Sequence, residues 1–361
     1  MLNDEVNMHR VLSINPGSTS TKVALYEDET PVFVEVIRHS ADEIARFNRI
    51  VDQYEFRRDV ILRVLEEKGV ALKSLHAVVG RGGALPPIPS GVYRINERML
   101  EDLRQPKREH VSNLGAFIAR EIADRAGVPA FIVDPVSVDE FEPIARISGL
   151  PEIERKSLSH ALNLKAAGRK AAKALGKPYE ELNLVIVHMG GGISVSPHRK
   201  GRMIDVNQAL DGTGPFSPER AGGLPIGDLL RLAYSGRYTH EQLYRRLVGG
   251  GGLVAHLGTN DAREVERRIA EGDEHARLVY EAMAYQIAKE IGAMATVLKG
   301  EVDAIVLTGG LAHSEMLTGW VRERVEWIAP VLVFPGEDEM EAMTMGALRV
   351  LRGEEEAKDY K

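Results

Sequence analysis

The sequence predicts an α/β chain built from two duplicated domains with a cleft between them. Three observations carry that reading. Short apolar runs alternate with stretches of helical periodicity along the whole length, the signature of sheets covered by helices. The 361 residues exceed what one core comfortably holds, so two domains are expected. Two segments about 170 residues apart share one plan: strand, small-residue turn, strand, polar tip. A repeated hairpin-led unit points to a duplicated domain, chance being the plainer alternative because hairpins with glycine turns are common.

The apolar runs are RVLSIN (10–15), LHAVVG (75–80), AFIVD (130–134), LNLVIVH (182–188), VDAIVLTGG (302–310) and APVLVF (329–334). Their length and β-rich content suit buried strands of a mixed sheet. Between them, Ile287, Ile291, Met294 and Leu298 recur at spacings of 4, 3 and 4, with Gly300 beyond as a stop signal. Residues 45–69 read as one helix ending at Gly69, and Thr239 with Gln242 has capping-box spacing. GGGG (249–252) reads either as a flexible connection that lets domains or a lid move or as a plain loop.

Composition narrows the function classes. The net charge is −7 with no concentrated basic face, which argues against nucleic acid as a partner. Cysteine is absent, so disulfides, a thiol nucleophile and thiolate metal sites are excluded. No run approaches the roughly 20 apolar residues needed to span a bilayer, and MLNDEVNMHR lacks a signal-peptide apolar core. No membrane partner and a cytoplasmic location are the expectation.

Three turns close apolar strands with glycine or hydroxyl residues. INPGSTSTK offers main-chain N–H groups, the Ser18 and Ser20 hydroxyls, Asn15 and the Lys22 ammonium. Such groups can wrap phosphate oxygens, and Gly17 adds no side chain to block approach. A hydroxyl-rich hairpin tip is the plainer alternative; the spacing is not that of a Walker A loop. HMGGGIS places Gly190, Gly191 and Gly192 where a β-bulge or a close-lying ligand would explain them. In VLTGGLAHS a strand runs through Gly309 and Gly310 toward a helix start, a natural anion or nucleotide seat.

In this order the three turns resemble the phosphate-1, phosphate-2 and adenosine loops of the acetokinase branch of the actin/sugar-kinase/Hsp70 superfamily. GRGGALPPIPSGVYRINE, REHVSNLGAFIA and PGEDEMEAMTMGALRV resemble the butyrate kinases more than the acetate kinases. The resemblance implies two actin-like (ribonuclease H-like) domains, residues 1–147 with a C-terminal helix 343–361, and 148–342. It implies reversible transfer from ATP to a short-chain fatty carboxylate with Mg2+ or Mn2+, and a homo-oligomer, dimer or higher. Acetate or propionate kinase is the alternative within the family, and a non-kinase ATPase clamp the alternative outside it.

The implied chemistry is self-consistent. A carboxylate acceptor is ionised at pH 7 and needs no general base; the barrier lies in aligning two anions and neutralising the transferring phosphoryl. The resemblance assigns Arg81, His160 and His110 to that task, Asn15, Ser18, Ser20, Lys22, His188 and Gly190–Gly192 to phosphates, and Asp261, Arg263, Gly309, Gly310 and His313 to the nucleotide. It offers Asp134 and Glu339 as metal ligands. The family's F-H-G-T-S-H pattern is shortened here to SLSH. A second family arginine, expected after DGTGPFSPE, is not evident, AGGLPIGD occupying that region.

Overall fold

The computed structural model describes residues 8–106 and 109–361. Its strands are β1 (Arg10–Pro16), β2 (Ser20–Glu27), β3 (Thr30–Arg38), β4 (Ala77–Arg81), β5 (Val92–Arg94) and β6 (Ala130–Val133). They continue with β7 (Asn183–Met189), β8 (Ile193–Arg199), β9 (Arg202–Met203), β10 (Ala304–Gly309), β11 (Val331–Pro335) and β12 (Lys358–Asp359). Contacts divide the chain into residues 1–138 with 338–361, and residues 139–337.

The first unit holds one sheet in the order β12-β5-β6-β4-β1-β2-β3. β1 is antiparallel to β2 and parallel to β4, which in turn runs parallel to β6. Helix Leu114–Ala126 covers one set of these strands, and glycines decide how closely. A Cβ on Gly80 would stand 2.2 Å from the Gly115 carbonyl, and one on Gly115 would stand 2.3 Å from the Arg81 carbonyl. Strand and helix main chains therefore touch at the end of β4. Helix Glu339–Leu351 packs on β1, β4 and β6, where Gly346 makes room for Val133. The core of this unit runs through Leu12, Ile14, Val23, Val78, Phe117, Ile118 and Ile132, all buried.

The second unit holds a five-stranded sheet in the order β11-β10-β7-β8-β9. Its pairings repeat those of the first unit: β7 is antiparallel to β8 and parallel to β10, and β10 is parallel to β11. The hairpin plan visible in the sequence is thus matched by an equivalent sheet core in both units. Helix Glu274–Val297 buries Met283, Ile287, Ile291 and Met294 against this sheet, the stripe the periodicity predicts. Helix Ala161–Leu175 packs on β7 and β10.

The boundaries differ from the sequence reading, which placed them after 147 and 342. Residues 139–147 join the second unit because Glu140 accepts from Lys165 Nζ at 2.6 Å and the Glu142 amide donates to the Ile204 carbonyl at 3.2 Å. Glu339 joins the first through Asn15 and Arg81. The C-terminal helix spans Glu339–Leu351 rather than 343–361, and β12 follows it beside β5. The helix expected over 45–69 starts only at Tyr54, after a 3-10 turn at Ile50–Gln53; Arg49 is extended and its guanidinium donates to the Arg104 carbonyl. The Thr239–Gln242 capping box is present.

Acid stability follows from one buried cluster. His198 is fully enclosed, shares a hydrogen bond with the Tyr179 hydroxyl, and is held well below its ordinary range by burial and by nearby Lys165. The fold therefore keeps it neutral, while the unfolded chain binds its proton below about pH 6.5. Stability is unaffected by this group above that pH and falls beneath it, by up to about 1.4 kcal/mol per pH unit, until the native value is reached. Urea midpoints measured from pH 8 to 5 should decline below 6.5, and less steeply in His198→Gln.

Candidate active site

In the first unit the groups gather at the carboxyl ends of β1 and β4. Asn15 pairs with Lys22 in the β1–β2 register, so both side chains point to one face. Asn15 Nδ2 donates to Glu339 Oε2, and Arg81 Nη2 lies 3.2 Å from Glu339 Oε1. Arg81 ends β4 and is only 8% exposed, yet its Nη1 has no hydrogen-bond partner. A buried guanidinium with one arm unpaired is costly unless something anionic arrives there.

The turn between β1 and β2 is held from within by Arg57, which sequence reasoning missed. This guanidinium is completely buried and donates to the carbonyls of Gly17 (2.7 Å), Ser20 (3.0 Å) and Ser18 (3.2 Å), to Thr21 Oγ1 and to Gln53 Oε1. Its desolvation lowers it to about 10, still charged at neutral pH. His39 bonds Thr21 Oγ1 through Nε2 at 2.8 Å, and its amide donates to the Thr19 carbonyl. Burial, and then the Arg57 charge, depress His39 and favour its neutral form. Ser18 and Lys22 stay exposed, and Ser20 half-buried, above this brace.

The other predicted residues of this unit are placed less centrally. Asp134, just past β6, has a left-handed φ of 38° and spends Oδ1 on Ser90 Oγ (2.6 Å) and the Gly91 amide (2.9 Å). It braces a strand end. His110 is exposed and caps the turn Val111–Asn113, its Nδ1 meeting Ser112. Among the described residues no three His, Cys, Asp or Glu side chains form a metal cage. Mg2+ asks for less, typically one or two carboxylates alongside phosphate oxygens and water. Glu339, partly open and flanked by the Asn15 amide, is a hard oxygen donor of that kind.

In the second unit His160 precedes helix Ala161–Leu175, and its Nδ1 is 2.9 Å from Ser194 Oγ at the start of β8. Its ring lies on that of His188, centroids 4.1 Å apart and tilted 30°. His188 is 1% exposed; its Nε2 meets Glu337 at 3.2 Å while Nδ1 is unpartnered. The glycine turn is short, the Gly190 amide donating to the Gly192 carbonyl. Close approach requires glycine at Gly309, where φ is 93° and a Cβ would stand 2.3 Å from the Met189 carbonyl. Gly309 and Gly336 exchange main-chain hydrogen bonds, and His313 lies beside Gly336. Gly310 opens the turn Gly310–His313.

An arginine does stand directly after DGTGPFSPE: Arg220. Its side chain lies against Gly192, where any Cβ would collide with Nη1, and it donates to the Ala209 carbonyl at 2.7 Å. Burial lowers its pKa. The GGGG run is not a loose connection. Gly249 and Gly251 donate to the Glu219 carbonyl, and a Cβ on Gly252 would fall 1.6 Å from the Ser217 carbonyl. These glycines clamp the backbone that carries Arg220. Asp261 caps helix Ala262–Ala270 and pairs with Arg263 at 2.8 Å, an exposed pair that satisfies itself. Next to it, Asn260 donates to Glu219, whose carboxylate faces Gly191.

Solved structures with this architecture include the acetate kinase of Porphyromonas gingivalis, which is 19% identical with a TM-score of 0.77 over 95% of this chain and 100% of that one. The propionate kinase of Francisella tularensis is 17% identical, TM-score 0.72, over 94% and 99%. The acetate kinase of Entamoeba histolytica is 15% identical, TM-score 0.73, again over 94% and 99%. Both units of this chain therefore have the actin-like fold of those enzymes. The stretch 155–332, which carries His160, the glycine turn, Arg220 and β10, matches the Acetokinase family.

Proposed function

We propose that the chain is an ATP-dependent carboxylate kinase of the acetokinase family, transferring the γ-phosphoryl reversibly to a short-chain fatty carboxylate, butanoate being preferred. One observation supports this most: buried Arg81 keeps Nη1 unpaired beside Glu339 and Asn15. That is the shape of an anion clamp, and a carboxylate acceptor already ionised needs positioning and charge rather than a base.

In this reading Arg81 draws the acceptor carboxylate and the transferring phosphoryl together by offsetting their charge. Asn15, Ser18, Ser20 and Lys22 hold phosphate oxygens on the braced turn. His160, its ring oriented by Ser194 and His188, donates to the phosphoryl as charge spreads over it. His188 and the turn Gly190–Gly192 bear on the phosphate chain, with Arg220 behind the glycines. Gly309, Gly310 and His313, with Asp261 and Arg263 at the rim, face the nucleoside. His110 orders the segment before Asn113, whose Oδ1 accepts from the Ala84 amide beyond Arg81. Glu339 would hold Mg2+, with Asp134 at the neighbouring strand end; the ion supplies charge neutralisation to the phosphates.

The deciding experiment is acyl-hydroxamate formation from ATP, Mg2+ and unbranched acids of two to six carbons. Product should form with highest kcat/KM for butanoate, each additional buried methylene being worth about 0.8 kcal/mol. A preference for acetate or propionate would replace the butanoate assignment and keep the kinase. ATP hydrolysis with no hydroxamate from any acid would overturn the kinase. Chelation by EDTA should abolish turnover, and added Mg2+ or Mn2+ should restore it.

A further inference from the structure

Glu219 has the wrong sign for the place it occupies. A Cβ on Gly191 would stand 3.3 Å from Glu219 Oε2, so this carboxylate lies against the glycine turn assigned above to phosphates. An acid beside an anion seat repels the ligand unless the ligand brings it a hydrogen-bond donor or a cation. Asp261, another acid of this region, is spent on Arg263. Arg220, next in the chain to Glu219, donates instead to the Ala209 carbonyl, and Glu219 makes no ion pair among the described residues. Its Oε1 accepts from Asn260 Nδ2 at 2.6 Å, and Oε2 is left open at the turn.

The carboxylate is also held still, as a surface glutamate ordinarily is not. The Glu219 carbonyl accepts from the Gly249 and Gly251 amides at 2.8 and 3.1 Å. Pro218 before it fixes a backbone torsion. Ser217 Oγ donates to the Gly191 carbonyl at 2.6 Å and accepts from the Arg220 amide at 3.2 Å. Residues 217–220 are therefore stitched both to the glycine turn and to the GGGG run. Asn260, which grips Oε1, stands immediately before Asp261, the cap of helix Ala262–Ala270. Oε2 is thus fixed between the phosphate turn and the nucleoside rim.

In a nucleotide the group between phosphates and base is the sugar, and its hydroxyls are hydrogen-bond donors. We infer that Glu219 Oε2 accepts from one of the two ribose hydroxyls of the bound nucleotide, and that the site discriminates against a sugar lacking it. The inference rests on the nucleotide reading of the glycine turn. A hydroxyl bonded to a carboxylate is among the stronger protein hydrogen bonds, and one open oxygen engages one hydroxyl. Asn260 is a positioning residue, occupying Oε1 and so turning Oε2 to the ligand. An analogue without the hydroxyl leaves Oε2 beside the phosphates with nothing to offset its charge.

Calorimetric titration of the full chain with ADP, 2′-deoxy-ADP and 3′-deoxy-ADP tests this without turnover. The wild-type chain should bind one of the two analogues at least about tenfold more weakly than ADP. In Glu219→Gln and in Glu219→Ala that ratio should shrink to under about threefold, the variant and the analogue removing the same bond. The thermal melt should not move, because the glycines hold the main chain of Glu219 rather than its side chain. The ratios should be the same with Mg2+ and with EDTA. Both analogues binding as ADP does, ratios unaltered in the variants, or an effect of Glu219→Gln seen only with Mg2+, which would mark a metal ligand, would each overturn the proposal. Failure of hydroxamate formation would remove the kinase and leave these ratios standing. Absence of ADP binding would overturn the nucleotide reading and this inference together.

Discussion

Arg81→Ala should lower kcat/KM for hydroxamate formation about a thousandfold while moving the thermal midpoint only slightly. The asymmetry follows from how the side chain is paired. Nη2 meets Glu339, which would keep its bond from Asn15, whereas Nη1 has no protein partner to lose. Removing the side chain also relieves the fold of a nearly buried charge. Arg81→Lys should rescue little, because a point charge cannot reproduce the planar fork that meets two oxygens at once. Steady-state kinetics and a melt on each variant check both halves. Full activity in Arg81→Ala would remove the anion clamp, and with it the main support for the proposed chemistry.

Arg57→Met should behave in the opposite way, costing about 3 to 5 kcal/mol of stability in urea unfolding. Methionine fills much of the volume but donates nothing to the carbonyls of Gly17, Ser18 and Ser20 or to Gln53 Oε1. Those acceptors would stay buried and unpaired. The surviving folded fraction should also show a raised KM for ATP, since the turn above would lose its fixed shape. A variant as stable as wild type would mean that water replaces the guanidinium at no cost.

The contrast between these two arginines shows how far the residues alone could be read. Arg81 stands at the end of an apolar run between glycines, a setting that marks it from sequence. Arg57 lies in a charged helical stretch, EFRRDVILRV, where an arginine ordinarily points to solvent. Its partners are main-chain carbonyls, and these carry no sequence signature. The strands and the duplicated hairpin were legible because burial imposes periodicity over many residues. The capping box was legible because it is local chemistry at fixed spacing.

Other features were legible only in part. Arg220 stood in plain view after DGTGPFSPE, but its importance rests on packing against Gly192, a contact 28 positions away in the chain. A GGGG run permits freedom but does not require it. Its glycines instead serve close approach, which depends on the Ser217–Ala221 backbone folding beneath them. The exposed pair Asp261–Arg263 matched a motif spacing, and the structure shows that the two side chains are spent mainly on each other.

The brace beneath the β1–β2 turn has a consequence in the direction of peptide dipoles. The carbonyls of Gly17, Ser18 and Ser20 all point inward to Arg57, and that of Thr19 to the His39 amide. In a trans peptide the N–H opposes the C=O, and no cis bond occurs among the described residues. The amide hydrogens of Ser18 and Thr19 therefore face away from Arg57, with the Gly17 and Ser18 carbonyl oxygens withdrawn from that side. An anion approaching from that side would meet the positive ends of these two dipoles, with a buried cation behind them.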